Sequence, residues 1–423
     1  MLDPGLIRRD PERVRRGLLA KGEVADIDWF LQLDREGSEV VTELEQLNAR
    51  KNRLSEEIGK RKRAGEDIEA LRAESAEIDP KKKQLEERKD RLRSDLMRIL
   101  MRLPNLPLDD VPVGTGSEQN VVVATWGAPR EQSFRPKAHW DLGADLGMLD
   151  AKRAAKVAGS GFSLLSGQLA QLERALVNYM LDLHTREHGY REVGVPYLVL
   201  GTSLEGSSQL PKLEAEMYRC RDDDLWLIPT AEVPLTNVHA REILTQAELP
   251  IRYTAFSPCF RREAGAAGAD TRGLIRMHQF HKVELMVYTL PEESDAELLR
   301  IREHAESVLR NLGLHYRVLE LCTGDMSFGS ARTYDLEVWA PGCGRWLEVS
   351  SVSTFGDFQA RRAGIRFRRE GGKPEHVHTL NGSGLALPRV IVGVLENYQR
   401  EDGSVEIPDV LRPYMGWRTE IRA

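Results

Sequence analysis

The chain has 423 residues, 41% hydrophobic and 30% charged, with 60 Lys+Arg against 66 Asp+Glu and a formal net charge of −6. At roughly 150 residues per domain that length predicts two or three domains, and no uninterrupted apolar run approaches the ~18 residues of a membrane-spanning helix. A chain that is not globally basic must meet any nucleic acid through a local patch.

Cys220, Cys259, Cys322 and Cys343 form no CxxC pair, which argues against a zinc site or a disulfide framework and for a reduced compartment. The opening segment MLDPGLIRRDPERVRRGLLA carries arginines, but Asp3, Asp10 and Glu12 intervene and no apolar stretch follows. It is unlike a signal or transit peptide, so a cytoplasmic location is expected.

Composition shifts near Ile27 and again near Pro104, where LPNLPLDDVPVG reads as a boundary. Between them run two apolar series, Leu33, Val40, Leu44, Leu47, Leu54, Ile58 and Leu71, Ile78, Leu85, Leu92, Leu96, Ile99, Leu103. Steps of seven, four and three are a coiled-coil seam. The break at KRKRAGED, around Gly65, predicts an antiparallel hairpin over about 30–103, within an N-terminal domain of residues 1–108. Pro80, inside the second series, predicts a bend or break. Lys60, Arg61, Lys62 and Arg63 near the tip and Lys81, Lys82 and Lys83 on the return suit phosphate contacts. Composition alone fits a merely solvated helical face equally well.

Residues 109–423 alternate strand-like and helical patterns and lack the GxGxxG and GxxxxGK signatures of dinucleotide and P-loop folds. In FRREAGAAGADTRGLIRMHQFHKVELMVYT (260–289) a strand-like segment enters a glycine-containing loop and an alternating strand leaves it, predicting an antiparallel hairpin. A two-residue period places Arg276, His278, Phe280, Lys282 and Glu284 on one face, with Arg261 and Glu263 sharing a face of the incoming strand. Guanidinium for phosphate, carboxylate for an amino group and a ring for base stacking suit a nucleoside triphosphate. Ordinary cross-strand ion pairs would use some of the same residues.

FRREAGAAGADTRGLIRMHQFHKVE resembles motif 2 of the bacterial-type seryl-tRNA synthetases, which are class II aminoacyl-tRNA synthetases. LVNYMLDLHTREHGYREVGVPYLV resembles motif 1, with Pro196 at its proline position. LIPTAEVPLTNVHAREIL carries the family's Thr-Ala-Glu element, and HTLNGSGLALPRVIVGVLENYQREDGSVEIPDVLRPYMG resembles motif 3. CTGDMSFGSARTYDLEVW and WLEVSSVSTFGDFQARRAGIR complete the pattern, so the similarity covers nearly the whole chain. GSSQLPK, SSVSTFGDF and Pro388 depart from commoner family strings without removing a matched side chain.

The resemblance implies an α+β fold, in which an N-terminal antiparallel coiled-coil arm precedes a class II domain, an antiparallel β-sheet flanked by helices. It implies a homodimer built through motif 1. The arm would grip the long variable arm of tRNA(Ser) from the partner subunit, recognising shape and backbone. The implied reaction joins L-serine to ATP as seryl-adenylate and then transfers serine to the tRNA 3′ end, with Mg²⁺ and without zinc. tRNA(Sec) as a further acceptor stays open, and the alternative is a serine ligase delivering to a non-tRNA acceptor.

By the same resemblance, Arg261 holds the α-phosphate, Glu263 the adenine amino group and Arg276 the outer phosphates. Phe280 stacks on adenine and Arg389 lies against the nucleotide. Glu348 and Ser351 take the ATP and metal positions, with Glu348 the metal ligand and, with Arg261, catalytic. Thr230, Glu232, Glu284 and Ser383 contact serine, with Asn381 as their neighbour. Motif 3's helix is expected to start near Pro388, the preceding glycines allowing a tight turn.

Overall fold

Two long helices carry the apolar series of the N-terminal region in the computed structural model, which describes residues 1–264 and 272–423. Helix α1 (Ile27–Ala64) starts after Asp26, whose carboxylate accepts from the Trp29 N–H at 2.8 Å. It ends at Gly65, whose φ of 75° is the left-handed conformation that glycine adopts without a Cβ clash. Helix α2 (Glu69–Leu100) returns beside it. Ion pairs give the direction: Glu36 meets Arg88 at 3.2 Å, while Arg50 meets Glu74, so positions rise on one helix as they fall on the other.

Leu33, Val40 and Leu44 of α1 and Leu92 of α2 form the buried seam, with Leu85, Leu96 and Ile99 packed on it. At 38 and 32 residues, and about 1.5 Å per residue, these helices are roughly 50 Å long. The break expected at Pro80 is absent, since α2 is continuous from Glu69 to Leu100. Proline removes the donor that Ala76 would receive, and both residues are exposed, so water can meet the freed carbonyl. This unit comprises Leu2–Leu19 and Glu23–Pro104.

The second unit comprises Met1, Ala20–Gly22 and Asn105–Ala423. Its centre is an eight-stranded sheet of β1 (Val121–Trp126), β2 (Arg191–Glu192), β3 (Ile251–Phe260), β4 (Gln279–Thr289), β5 (Tyr316–Glu320), β6 (Arg332–Ala340), β7 (Arg345–Gly356) and β8 (His378–Ala386), in the order β1-β5-β6-β7-β8-β4-β3-β2. Every neighbouring pair is antiparallel except β2 with β3. The central strands β4 and β8 are buried along most of their length because helices cover the sheet. Leu169, Leu172 and Leu176 of α4 (Gly167–Arg186), Ile301 and Val308 of α6 (Ser294–Asn311), and Ile391 and Leu395 of α7 (Leu387–Tyr398) share one core with Val283 and Leu285 of β4. Helices α3 (His139–Asp145) and α5 (Glu232–Asn237) complete the elements that position the site.

The motif 2 hairpin is shorter than its two-residue period suggested. β3 stops at Phe260 and β4 starts at Gln279, leaving Arg261, Glu263, Arg276 and His278 outside the strands. Glu263 adopts a left-handed φ of 51°, which extended pairing cannot accommodate. Helix α7 begins at Leu387 with Pro388 in its first turn, as expected. The glycines before it serve packing rather than a turn: a Cβ on Gly382 would lie 2.7 Å from Ile301 of α6, and one on Gly384 would lie 2.8 Å from His184. Among the described residues no helix is long and apolar enough to cross a membrane.

Candidate active site

Strand β7 carries a local irregularity that shapes the site. Glu348 pairs with Glu337 and Ser350 with Leu336, so one extra residue, Val349, is inserted. In a regular strand Glu348 and Ser351 would point to opposite faces; the bulge brings both onto the face of one cavity. On β8, Asn381 and Ser383 face the same cavity, while Gly382 between them is pressed against α6. On β4 the two-residue period holds, and Phe280, Lys282 and Glu284 line it together. Every residue of α7 is buried except Arg389, which projects from its first turn into the cavity.

The cavity holds about 740 Å³ and is lined by each active-site residue named from the resemblance. Its closed end is built from buried carboxylates. Glu284 is 1% exposed, and its Oε2 receives the Thr230 hydroxyl at 2.9 Å and the Lys282 ammonium. Gln359 donates to Glu232 Oε1 at 2.7 Å and is itself fixed by Thr379 at 2.8 Å. Burial, followed by the charge of Glu284, pushes the Glu232 carboxyl up to about 7.

The open end is cationic. Arg261 lies 5.1 Å over the Phe280 ring and donates from Nε to the Pro229 carbonyl at 3.4 Å. Arg276 pairs through Nε with Glu263 at 2.7 Å, so the left-handed Glu263 is held by the arginine across the loop. Arg389 donates to the Ile275 carbonyl at 3.0 Å and to the Glu348 carbonyl at 2.8 Å, and its guanidinium lies 3.4 Å from the Glu348 carboxylate. Beside Glu348, Asp335 is the cross-strand partner of Ser351, and its buried Oδ1 has no hydrogen-bond partner. Burial and the Glu348 charge hold the Asp335 carboxyl well above the usual carboxylate range. Two carboxylates and a hydroxyl, one oxygen unsatisfied, fit a hard divalent cation.

His278, expected on the binding face, does not line the cavity; its Nδ1 lies 3.0 Å from the Arg261 carbonyl. Lys282, Asp335 and Gln359 are additions that the residue assignments did not include. Lys282 sits on the alternating face already legible in the sequence, whereas Gln359 reaches Glu232 across 127 residues of chain and left no local signal.

An eight-stranded, almost wholly antiparallel sheet, with an arginine-rich hairpin and a final helix opening onto one nucleotide-sized cavity, is the architecture of a class II aminoacyl-tRNA synthetase. Residues 215–398 match the tRNA synthetase class II core domain (G, H, P, S and T), and residues 1–107 the seryl-tRNA synthetase N-terminal domain. The chain is 51% identical to the serine–tRNA ligase of Nitratidesulfovibrio vulgaris over 100% of both chains. It resembles the crystal structure of seryl-tRNA synthetase from Pyrococcus horikoshii complexed with ATP, with TM-score 0.94 and 42% identity over 100% of this chain and 99% of that one. Cytoplasmic serine–tRNA ligase from Naegleria fowleri in complex with AMP matches with TM-score 0.90 and 28% identity, over the same shares. The chain belongs to the serine–tRNA ligase family.

Proposed function

We propose that the cavity activates L-serine with ATP and that the resulting seryl group is passed to the 3′ end of tRNA(Ser). The observation that carries this is the joining, in one cavity, of a buried, hydrogen-bonded carboxylate to a cationic, ring-bearing mouth. The reaction is an in-line displacement. A serine carboxylate oxygen forms a bond to the α-phosphorus as the bond to the bridging oxygen breaks, releasing pyrophosphate. The terminal ribose hydroxyl of the tRNA then attacks the acyl carbon, loses its proton, and AMP leaves. A carboxylate is already ionised at pH 7, so alignment and charge neutralisation are the main demands.

Arg261 contacts the α-phosphate, and adenine stacks on Phe280. Glu263 takes the adenine amino group, Arg276 the outer phosphates and Arg389 the far side of the nucleotide. Glu232 receives the α-ammonium of serine, Oε1 of Glu284 accepts its hydroxyl proton, and Thr230, Asn381 and Ser383 close the pocket. Glu348 and Ser351 would hold Mg²⁺, which would supply positive charge against the phosphate oxygens.

Residues 1–108 form the tRNA-binding domain and 109–423 the catalytic domain in this reading. Lys60, Arg61, Lys62 and Arg63 at the end of α1 and Lys81 and Lys83 on α2 are exposed, Lys82 half-buried, as phosphate contacts require. Motif 1 pairs two copies, and the enzyme works in the cytoplasm. The test is charging of a tRNA(Ser) transcript with labelled serine, ATP and Mg²⁺, alongside serine-dependent pyrophosphate exchange. Charging lost on deletion of residues 30–100 while exchange persists is the expected outcome; exchange without charging by the full chain would favour a non-tRNA acceptor.

A further inference from the structure

Outside the cavity, a buried polar cluster joins three distant parts of the second unit. His139 opens α3, Glu396 lies two turns beyond Arg389 on α7, and Cys343 lies between β6 and β7. His139 and Glu396 are both 0% exposed. Oε1 of Glu396 accepts from the His139 backbone N–H at 2.9 Å, from the His139 ring at 2.9 Å and from the Cys343 thiol at 3.0 Å, while Oε2 accepts from the Cys343 N–H at 2.9 Å. Burial opposes the charge of Glu396, but the hydrogen bonds from His139 and Cys343 hold its carboxyl below the ordinary range.

A metal does not explain this cluster. Tetrahedral bonds of about 2.0–2.2 Å would separate nitrogen and oxygen ligands by roughly 3.3 Å or more. Nδ1 of His139 and Oε1 of Glu396 are 2.9 Å apart, a distance set by a shared proton. Burial, the hydrogen bond to Glu396 and the Glu396 charge also push the Cys343 thiol up, away from the thiolate a metal would need.

The ring's other nitrogen shows what the cluster is for. Nε2 of His139 accepts the Leu274 backbone N–H at 3.0 Å, so the ring proton sits on Nδ1, facing Glu396. Leu274 lies two residues before Arg276. The next carbonyl, that of Ile275, is held by Arg389 at 3.0 Å, and Arg272 meets Asp141 of α3 at 3.3 Å. Gly273, at φ 69°, passes so close to the imidazole that a Cβ would collide with it. Helix α7 therefore grips the 272–276 segment twice, directly through Arg389 and indirectly through Glu396 and His139.

We infer that His139, oriented by Glu396, is a positioning residue that sets the 272–276 segment and hence the placement of Arg276 on the nucleotide's outer phosphates. This rests on the ATP reading of the cavity. The competing role is purely structural, because Leu274, Ile275 and Met277 are also packed into the main core. The two roles differ in which substrate suffers.

The test is pyrophosphate exchange at varied ATP and varied serine, with thermal melting, on the full-length wild type, His139→Ala and His139→Gln. The glutamine can offer an oxygen to the Leu274 N–H. His139→Ala should raise KM for ATP roughly tenfold or more with KM for serine changed less than about twofold, and His139→Gln should recover most of the loss. Equal increases in both KM values, or no change in either, would overturn the positioning role. If His139→Ala does not fold, Gly273→Ala carries the same expectation, because it displaces the segment without touching Glu396. Wild-type protein without serine-dependent exchange would instead remove the ATP reading itself, and this inference with it.

Discussion

The arm and the catalytic sheet solve opposite problems with similar residues. In the arm, charged side chains stay in water, and Arg50, Lys51 and Arg88 meet acidic partners across exposed helices. Such pairs contribute about 0–1 kcal/mol each, so the leucine seam supplies the cohesion. In the cavity, Glu284, Glu232 and Lys282 are all buried, and the two carboxylates are held by partners distant in sequence, Glu284 by Thr230 and Glu232 by Gln359. Charge on the arm can be altered cheaply, whereas charge in the cavity cannot. That difference separates a surface suited to a long polyanion from a site that must tell one small amino acid from another.

The contrast breaks most sharply at Glu284. Alanine fits wherever serine does, so only an unpaired buried acceptor penalises it, and sites of this design discriminate by about 10⁴ or more. Glu284→Ala should abolish the preference for serine over alanine in pyrophosphate exchange; equal proportional losses for both amino acids would reject the hydroxyl contact.

Glu232 gives a smaller, pH-dependent effect. Its carboxyl, raised by burial and by the Glu284 charge to about 7, is protonated below that value in the empty site, with Lys282 the cation facing it. A serine ammonium favours the ionised form, so serine affinity should rise by up to about tenfold per pH unit between pH 6 and 7, with proton release on binding. Calorimetry in buffers of different ionisation enthalpy checks this, and Glu232→Gln should remove the dependence. The stability sign is opposite. Between the ordinary value near 4.5 and about 7 the folded protein holds the extra proton, so stability should fall as pH rises across that window, and Glu232→Gln should flatten the fall.

The mildest expected effect belongs to the arm. Replacing Lys81, Lys82 and Lys83 with alanine should weaken tRNA binding several-fold and lower the salt slope by roughly one per lost phosphate contact, leaving pyrophosphate exchange unchanged. A change in exchange, or an unchanged salt slope, would remove these lysines from the RNA surface.

Much of the arm was legible because its information is local. A seven-residue period and a terminal Gly65 act within a few turns, and the structure follows them. Pro80 was overread, since an exposed helix can leave one carbonyl to water. The cavity was legible only in part: the alternation Phe280, Lys282, Glu284 is a strand period, and the predicted hairpin is present. That Arg261 and Glu263 fall beyond the strand end could not be read from spacing, because the left-handed turn at Glu263 is stabilised by Arg276 across the loop.

By itself the sequence determined the helical arm, the antiparallel hairpin and, through its motifs, the family and a set of side chains that line one cavity. Only the tertiary structure decided how those side chains converge. The bulge at Val349 turns Glu348 and Ser351 to one face, and the His139–Glu396 pair, 257 residues apart, reaches the Leu274 N–H a further 135 residues from His139. Bulges and buried hydrogen bonds of this kind depend on partners that no local period encodes, and low-dielectric burial makes their arrangement binding on the fold.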